Sequence, residues 1–217
     1  MKKLFWKDPY QTELTTHITS VDANQVTLKE TIFFAFSGGQ ESDAGTIGGF
    51  NVLEAKAQGA DIVYTLDGNP SFKVGDEVHV LIDWTRRYKL MRLHFATEII
   101  LELAYKHLPD IEKIGAHIAE DKSRIDFVWG ENISKAFPLF EQEANDLIAA
   151  DLPIQSDFSD EVNGRRFWKI DGFSKVACGG THLKRTREIG KLRLKRVNIG
   201  KGKERVEIYV TTPPSKD

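Results

Sequence analysis

From Trp84 to His107 the chain runs without a single glycine or proline. Leu, Met, Ala, Glu, Lys and Arg dominate the stretch, and all of them favour helix. Thr85 is placed to cap its start and Pro109 marks its end. Leu90, Leu93, Thr97, Leu101, Ala104 and Leu108 recur at helical spacing, so one face of a long helix is expected to be core. The rest of the fold has to be arranged around an element of that length. His94 and Glu98 are four residues apart on or beside the buried face, so two metal-capable side chains point the same way.

A second chemical feature lies far downstream, at Cys178-Gly179-Gly180-Thr181-His182. Cys178 is the only cysteine, and a lone cysteine is ordinarily a small buried apolar residue. Here two glycines oppose helix, and a histidine follows four residues on. The pattern describes a tight loop that presents a thiol and an imidazole together. A helix offering His94 and Glu98 and a loop offering Cys178 and His182 would make a four-donor site, and mixed N, S and O donors suit Zn²⁺.

These residues carry a resemblance. The chain is similar to the editing domain of alanyl-tRNA synthetases and to its free-standing trans-editing (AlaX-type) relatives. That family has a His-x-x-x-His helix, usually His-Thr-Ala-Thr-His, and a downstream Cys-Gly-Gly-Thr-His. Its upstream Gly-Gly-Gln segment is matched by Ser37-Gly38-Gly39-Gln40-Glu41-Ser42-Asp43-Ala44-Gly45. Ile82 to Arg87, Ile125-Asp126-Phe127 and Thr186 to Gly190 match as well, in the right order, from about residue 30 onward. The departure is Glu98, which stands where the family has its second helix histidine. The resemblance implies hydrolysis of mischarged tRNA, typically seryl- or glycyl-tRNA for alanine. It also implies a zinc ion on His94, Glu98, Cys178 and His182, and a pocket in which Gln40 and Thr97 help select the amino acid. Glu98 has two further readings, as a general base beside the metal or as a partner that orients a ligating histidine. Phe95 replaces a family threonine and is expected to reshape the pocket. A non-catalytic zinc- and RNA-binding descendant is the alternative, and a deacylation assay separates the two. Gly-Gly-Gln also occurs in translation release factors, but the Cys-Gly-Gly-Thr-His loop argues against that kinship.

The remaining sequence supplies the frame. At 217 residues the chain has room for one large or two small domains. Gln11 to Val21, Gln25 to Phe36, Asp61 to Leu66 and Glu77 to Asp83 read as strands, separated by turns such as Asp22-Ala23-Asn24. A small β-barrel over residues 1–84 is expected, followed by an α+β domain over 85–217. In that second domain an antiparallel sheet should pack on the long helix and on a second helix from Ser134 to Ala150, with Leu139, Ala144, Leu147 and Ile148 inward. A hairpin is expected around Gly200-Lys201-Gly202-Lys203, with a bulge near Lys195-Arg196 where the apolar parity changes. The last residues, Thr211 to Asp217, should fray.

No apolar run is long enough to span a membrane, and no signal peptide is read, so a reducing, cytoplasmic location is expected. Overall net charge is −2, yet Lys184 to Arg205 carries ten Lys or Arg and two Glu. That +8 segment on a −10 remainder suits a tRNA phosphate backbone or, equally, the solvated face of a hairpin.

Overall fold

The computed structural model describes residues 1–200 and 202–211. Lys201 of the expected hairpin turn and the expected frayed tail from residue 212 onward lie outside the described residues. Among the described residues the class is mixed, sheet-rich with two α-helices, as α+β requires. Contacts divide the chain into two compact units, Met1–Tyr88 and Lys89–Asp217, a boundary one helical turn beyond residue 84.

The first unit contains β1 (Lys2–Lys3), β2 (Glu13–Asp22), β3 (Gln25–Leu28), β4 (Glu30–Thr31), β5 (Gly45–Ile47), β6 (Phe50–Gln58), β7 (Asp61–Leu66) and β8 (Glu77–Ile82). Six of these pair antiparallel in the order β2-β3-β7-β6-β5-β8, and β8 pairs back onto β2. Alternating side chains, among them Ile18, Val26, Leu28, Ile62, Tyr64, Val78 and Val80, fill the inside. Gly45 is indispensable to this ring. A Cβ there would lie 2.0 Å from the Leu81 carbonyl oxygen, and its φ of +157° is one L side chains rarely adopt. Residues 32–36, expected to continue a strand, are unpaired in a ladder, 32–35 buried and Phe36 exposed, because Asp43 and Arg87 take over their backbone.

The long helix α1 spans Trp84–His107. Its cap is Asp83, whose Oδ1 accepts the Arg86 N–H at 3.1 Å, and not Thr85, which lies inside the first turn. Its burial extends beyond one stripe: Met91, Phe95, Ala96, Ile99, Ile100 and Leu103 are buried along with the predicted face. After it come β9 (Glu112–Ile118), β10 (Ser123–Val128), α2 (Phe137–Ala149), β11 (Gln155–Asp160), β12 (Arg165–Ile170), β13 (Ser174–Ala177), β14 (Leu192–Asn198) and β15 (Lys203–Val210).

A short 3₁₀ turn, Ile133–Ala136, leads into α2, so the helix starts three residues later than expected and Pro138 sits harmlessly in its first turn. Phe137, Phe140, Ala144 and Ile148 are its buried residues, whereas Leu139 points out.

The second unit has two antiparallel sheets, β14-β15-β10-β9 and β11-β12-β13. The expected bulge at Lys195-Arg196 is absent. Leu192 to Asn198 pairs in unbroken register with Val210 to Glu204, Leu192 and Leu194 facing in. The irregularity of this sheet lies instead between β10 and β9.

Candidate metal centre and hydrolytic site

Two elements of the second unit converge. Helix α1 supplies His94 and Glu98, and the loop after β13 supplies Cys178 and His182. The loop is placed by backbone pairing: the Cys178 N–H donates to the Arg166 carbonyl at 2.9 Å, extending the β12–β13 ladder by one residue. Arg166 then donates Nη1–H to the Gly180 carbonyl at 3.1 Å, fixing the second glycine. Arg92 of α1 donates to the carbonyls of Glu188 and Ile189, tying the segment beyond the loop to the same helix.

The donor atoms of His94, Cys178 and His182 all lie within 4.8 Å of one another. Cys178 Sγ is 3.3 Å from His94 Nε2. The two imidazoles stack at 5.4 Å with an interplanar angle of 24°. Glu98 stands at the edge of this trio, its Oε1 3.9 Å from Cys178 Sγ and 4.0 Å from His94 Nε2. Thr97, which precedes Glu98 on the helix, is buried, its hydroxyl oxygen 2.6 Å from both the Leu93 carbonyl oxygen and Ser123 Oγ.

Gln40 belongs to the other unit. It closes a two-residue turn in which Ser37 and Gln40 exchange backbone hydrogen bonds of 3.2 and 3.0 Å. Gly38 and Gly39 have φ of +60° and +87°, the signs a type I′ turn needs, which explains the Gly-Gly pair there. Gln40 itself is buried.

Sequence reasoning missed two neighbours, Ser156 and Trp168. Ser156 of β11 lies 2.8 Å from His182 Nδ1 through its hydroxyl. Trp168 of β12, fully buried, donates its indole N–H to Glu98 Oε2 at 3.0 Å. Ser156 and Trp168 are cross-strand partners, so one rung of a sheet supports both halves of the site. Phe95 is buried with its ring 5.1 Å from Trp168 and 5.9 Å from His182, an apolar wall where a threonine would have been polar. A tryptophan flanked by alternating residues was the available signal, but its partner is fixed only by the fold.

The electrostatics favour neutral donors. Burial holds the His94 imidazole below its ordinary value despite the opposing pull of Glu98. Burial, His94 and Arg166 together hold His182 well below it. Burial, with the charge of Glu98, pushes the Cys178 thiol up to about 12. The buried Nδ1 of His94 and Nε2 of His182 make no hydrogen bond among the described residues. A His182 that donates Nδ1–H to Ser156 presents its Nε2 lone pair, the tautomer a metal ligand needs. Two neutral imidazoles with unsatisfied buried nitrogen, and a cysteine sulfur that would bind as thiolate after giving up its proton, fit a zinc ion.

The basic segment is neutralised in part by the fold. Arg196 pairs with Glu204, Arg205 with Asp126, Arg185 with Asp151, and Lys195 lies 3.8 Å from Glu207. Arg187, Lys191, Arg193 and Lys203 make no ion pair among the described residues. No helix among the described residues is long and apolar enough to cross a membrane.

Residues 166–207, which include the Cys178 loop, match the family described as the threonyl and alanyl tRNA synthetase second additional domain. The alanyl-tRNA editing protein AlaX-M of Pyrococcus horikoshii is 33% identical over 217 residues, 96% of this chain and 97% of that protein. The AlaX-M protein of Saccharolobus solfataricus is 32% identical over 241 residues, 98% and 99% of the two chains. An alanine–tRNA ligase of Methanococcus maripaludis is 32% identical over 225 residues, which span 94% of this chain and 25% of the ligase.

Proposed function

The chain belongs to the family of free-standing alanyl-tRNA editing proteins, and from that membership we infer that it hydrolyses the ester of mischarged tRNA at the cluster of His94, Cys178 and His182. It is an aminoacyl-tRNA deacylase, acting in trans on tRNA charged elsewhere. Seryl- and glycyl-tRNA for alanine are the proposed substrates. The N-terminal unit is read as a small β-barrel carrying the Gly-Gly-Gln turn, and the C-terminal unit as the editing domain with the zinc site.

The observation that carries the reading is the mutual approach of three donor atoms within 4.8 Å, from an α-helix and a loop 84 residues away in sequence. Three protein ligands and a fourth position left to solvent or substrate is the make-up of catalytic zinc centres. Zinc held there would act as a Lewis acid toward the ester carbonyl.

Glu98 is proposed as the general base. One carboxylate oxygen is engaged by Trp168, and the other faces the edge of the cluster, 3.9 Å from Cys178 Sγ and 4.0 Å from His94 Nε2, the side from which it would take a proton from an attacking water. The attacking water gives its proton to Glu98 as its oxygen bonds the ester carbon. The ester C–O bond then breaks, and Glu98 returns the proton to the departing ribose oxygen, freeing amino acid and tRNA. Gln40 is proposed to recognise a serine hydroxyl, since a buried amide left without that partner would reject alanine. The hydroxyl of Thr97 is committed to Leu93 and Ser123, so this residue is proposed as pocket wall and not as a hydrogen-bonding partner of substrate.

The test combines metal analysis with a deacylation panel over mischarged tRNAs. One zinc per chain and hydrolysis of seryl- or glycyl-tRNA are expected. Glu98→Gln should keep its zinc and lose activity by roughly 10²–10⁴-fold. Loss of zinc in Glu98→Gln would make Glu98 the fourth ligand, and zinc-free, fully active protein would overturn the site.

A further inference from the structure

Strand β9 breaks the alternation of its sheet at a single residue. Gly115 pairs with Asp126, but Phe127 then pairs with Lys113 and Ile114 is skipped. Directly opposed residues of an antiparallel pair project from the same face. Phe127 is fully buried, so Lys113 leaves its strand on the inner side of the sheet, while Ile114 is 44% exposed. Regular alternation would place Ile114 on the inner side and Lys113 on the outer side of the sheet. The chain therefore exposes an apolar side chain and turns a lysine toward the side that holds helix α1. Bulges that re-aim a side chain concentrate beside active sites.

The re-aimed lysine lies within electrostatic reach of the cluster. Its charge acts on both His94 and Cys178. Lys113 is exposed and makes no ion pair among the described residues. Several cations of the neighbouring strands and their turn are engaged, although Arg193 and Lys203 make no ion pair among the described residues. Arg124 and Arg205 hold Asp126, Lys122 holds Glu207, and Arg196 holds Glu204. An available ammonium on the cluster's side of the sheet, displayed at the cost of an exposed isoleucine, calls for an anionic ligand.

We propose that Lys113 is a substrate-binding residue of the hydrolytic site, its ammonium taking a backbone phosphate of the RNA 3′ end that carries the ester. The inference rests on the deacylase reading given above. The terminal phosphodiester is one ribose away from the ester bond, so a cation near the cluster meets this anion whenever the ester is in place. A flexible ammonium at the site's exposed margin suits a point contact to phosphate.

The test uses the full zinc-loaded chain with Lys113→Gln and Lys113→Arg. Binding of an uncharged acceptor-stem RNA is measured by anisotropy across salt concentrations. Hydrolysis is measured on mischarged tRNA and on a seryl ester of adenosine that has no phosphate. Lys113→Gln should weaken RNA binding roughly 5–10-fold at low salt and reduce the salt slope by about 0.7–0.9, the share of one phosphate contact. KM for mischarged tRNA should rise with kcat intact, the adenosine ester should be unaffected, and Lys113→Arg should restore binding. Unchanged affinity and salt slope would overturn the proposal. So would an equal loss on the adenosine ester, which would place the ammonium on the reacting carbonyl. If wild type hydrolyses neither substrate, the deacylase reading fails while the RNA-binding arm still decides the role of Lys113.

Discussion

Replacing Arg87 by methionine should be among the most damaging single changes in the N-terminal unit. The guanidinium is fully buried and serves three partners. It donates to both Asp43 carboxylate oxygens, one of them at 2.6 Å, to the Ile32 carbonyl at 2.6 Å and to the Pro9 carbonyl at 2.8 Å. Asp43 also accepts the Phe34 N–H at 2.6 Å, and its own N–H donates to the Phe34 carbonyl at 3.1 Å. Arg87 thus pins both legs of the hairpin whose tip is the Ser37–Gln40 turn. Methionine keeps much of the packing volume but leaves a buried carboxylate with one donor and removes the donor from two carbonyls. Removing one partner of a buried ion pair costs about 3–5 kcal/mol. For a chain of this size each kcal/mol moves the melting temperature by ~2–4 °C, so a fall of roughly 6–20 °C is expected. Thermal unfolding by circular dichroism and urea titration at neutral pH would measure it. Arg87→Met/Asp43→Leu should recover more than half of the loss, because no charge is then left alone. A loss below about 1 kcal/mol, or strict additivity in the double variant, would refute the reasoning.

Ser156→Ala should weaken zinc retention by roughly 10–100-fold in a chelator competition without unfolding the protein, because it removes the partner that sets the His182 tautomer; equal retention would deny Ser156 that role. Trp168→Phe should keep zinc yet lower kcat, since Glu98 loses the donor that orients it, and an unchanged pH profile and kcat would count against the arrangement. Burial raises the Asp126 carboxyl, but hydrogen bonds from Arg205 and Arg124 outweigh it and hold the group below the ordinary carboxylate range. Its stabilising contribution is therefore present above the unfolded value of ~3.9 and lost as pH falls through the lower folded value. Asp126→Asn should be less stable than wild type at pH 7, with the gap closing in acid; a pH-independent gap would exclude the linkage. Changing Arg187, Lys191 and Arg193 to Ser should weaken tRNA binding across sequences and flatten its salt dependence, and unchanged binding would leave that surface as mere solvated charge.

The parts of this molecule written in local pattern were legible before the fold was known. The uninterrupted stretch from Trp84 to His107 and the Gly-Gly turns each depend on neighbours a few residues away. The pairing of His94 with the Cys178 loop rested on kinship, because spacing alone does not bring residues 84 apart into contact. What stayed hidden depends on register. Nothing local says that Ser156 lies across from Trp168, or that skipping Ile114 turns Lys113 around. Thr85 looked like the cap because it precedes the apolar run, yet Asp83 has the better geometry one residue before the helix. The charge of the Lys184–Arg205 segment was countable, but its neutralisation by Asp126 and Asp151 is not, since those acids come from distant elements.

The bond between Trp168 and Glu98 constrains how this protein could have departed from the histidine that the family resemblance leads one to expect at that helix position. An indole N–H buried at Trp168 needs an acceptor, and Glu98 Oε2 is the one it has. Exchanging Glu98 for histidine alone would leave that N–H stranded at a cost of about 1–3 kcal/mol unless the new ring turned a lone pair toward the indole and away from Cys178 and His94. Exchanging Trp168 alone would leave a carboxylate unanchored in an apolar wall made by Phe95. Positions 98 and 168 are therefore expected to change together across lineages, the intermediate with only one of them altered being the least fit of the four combinations.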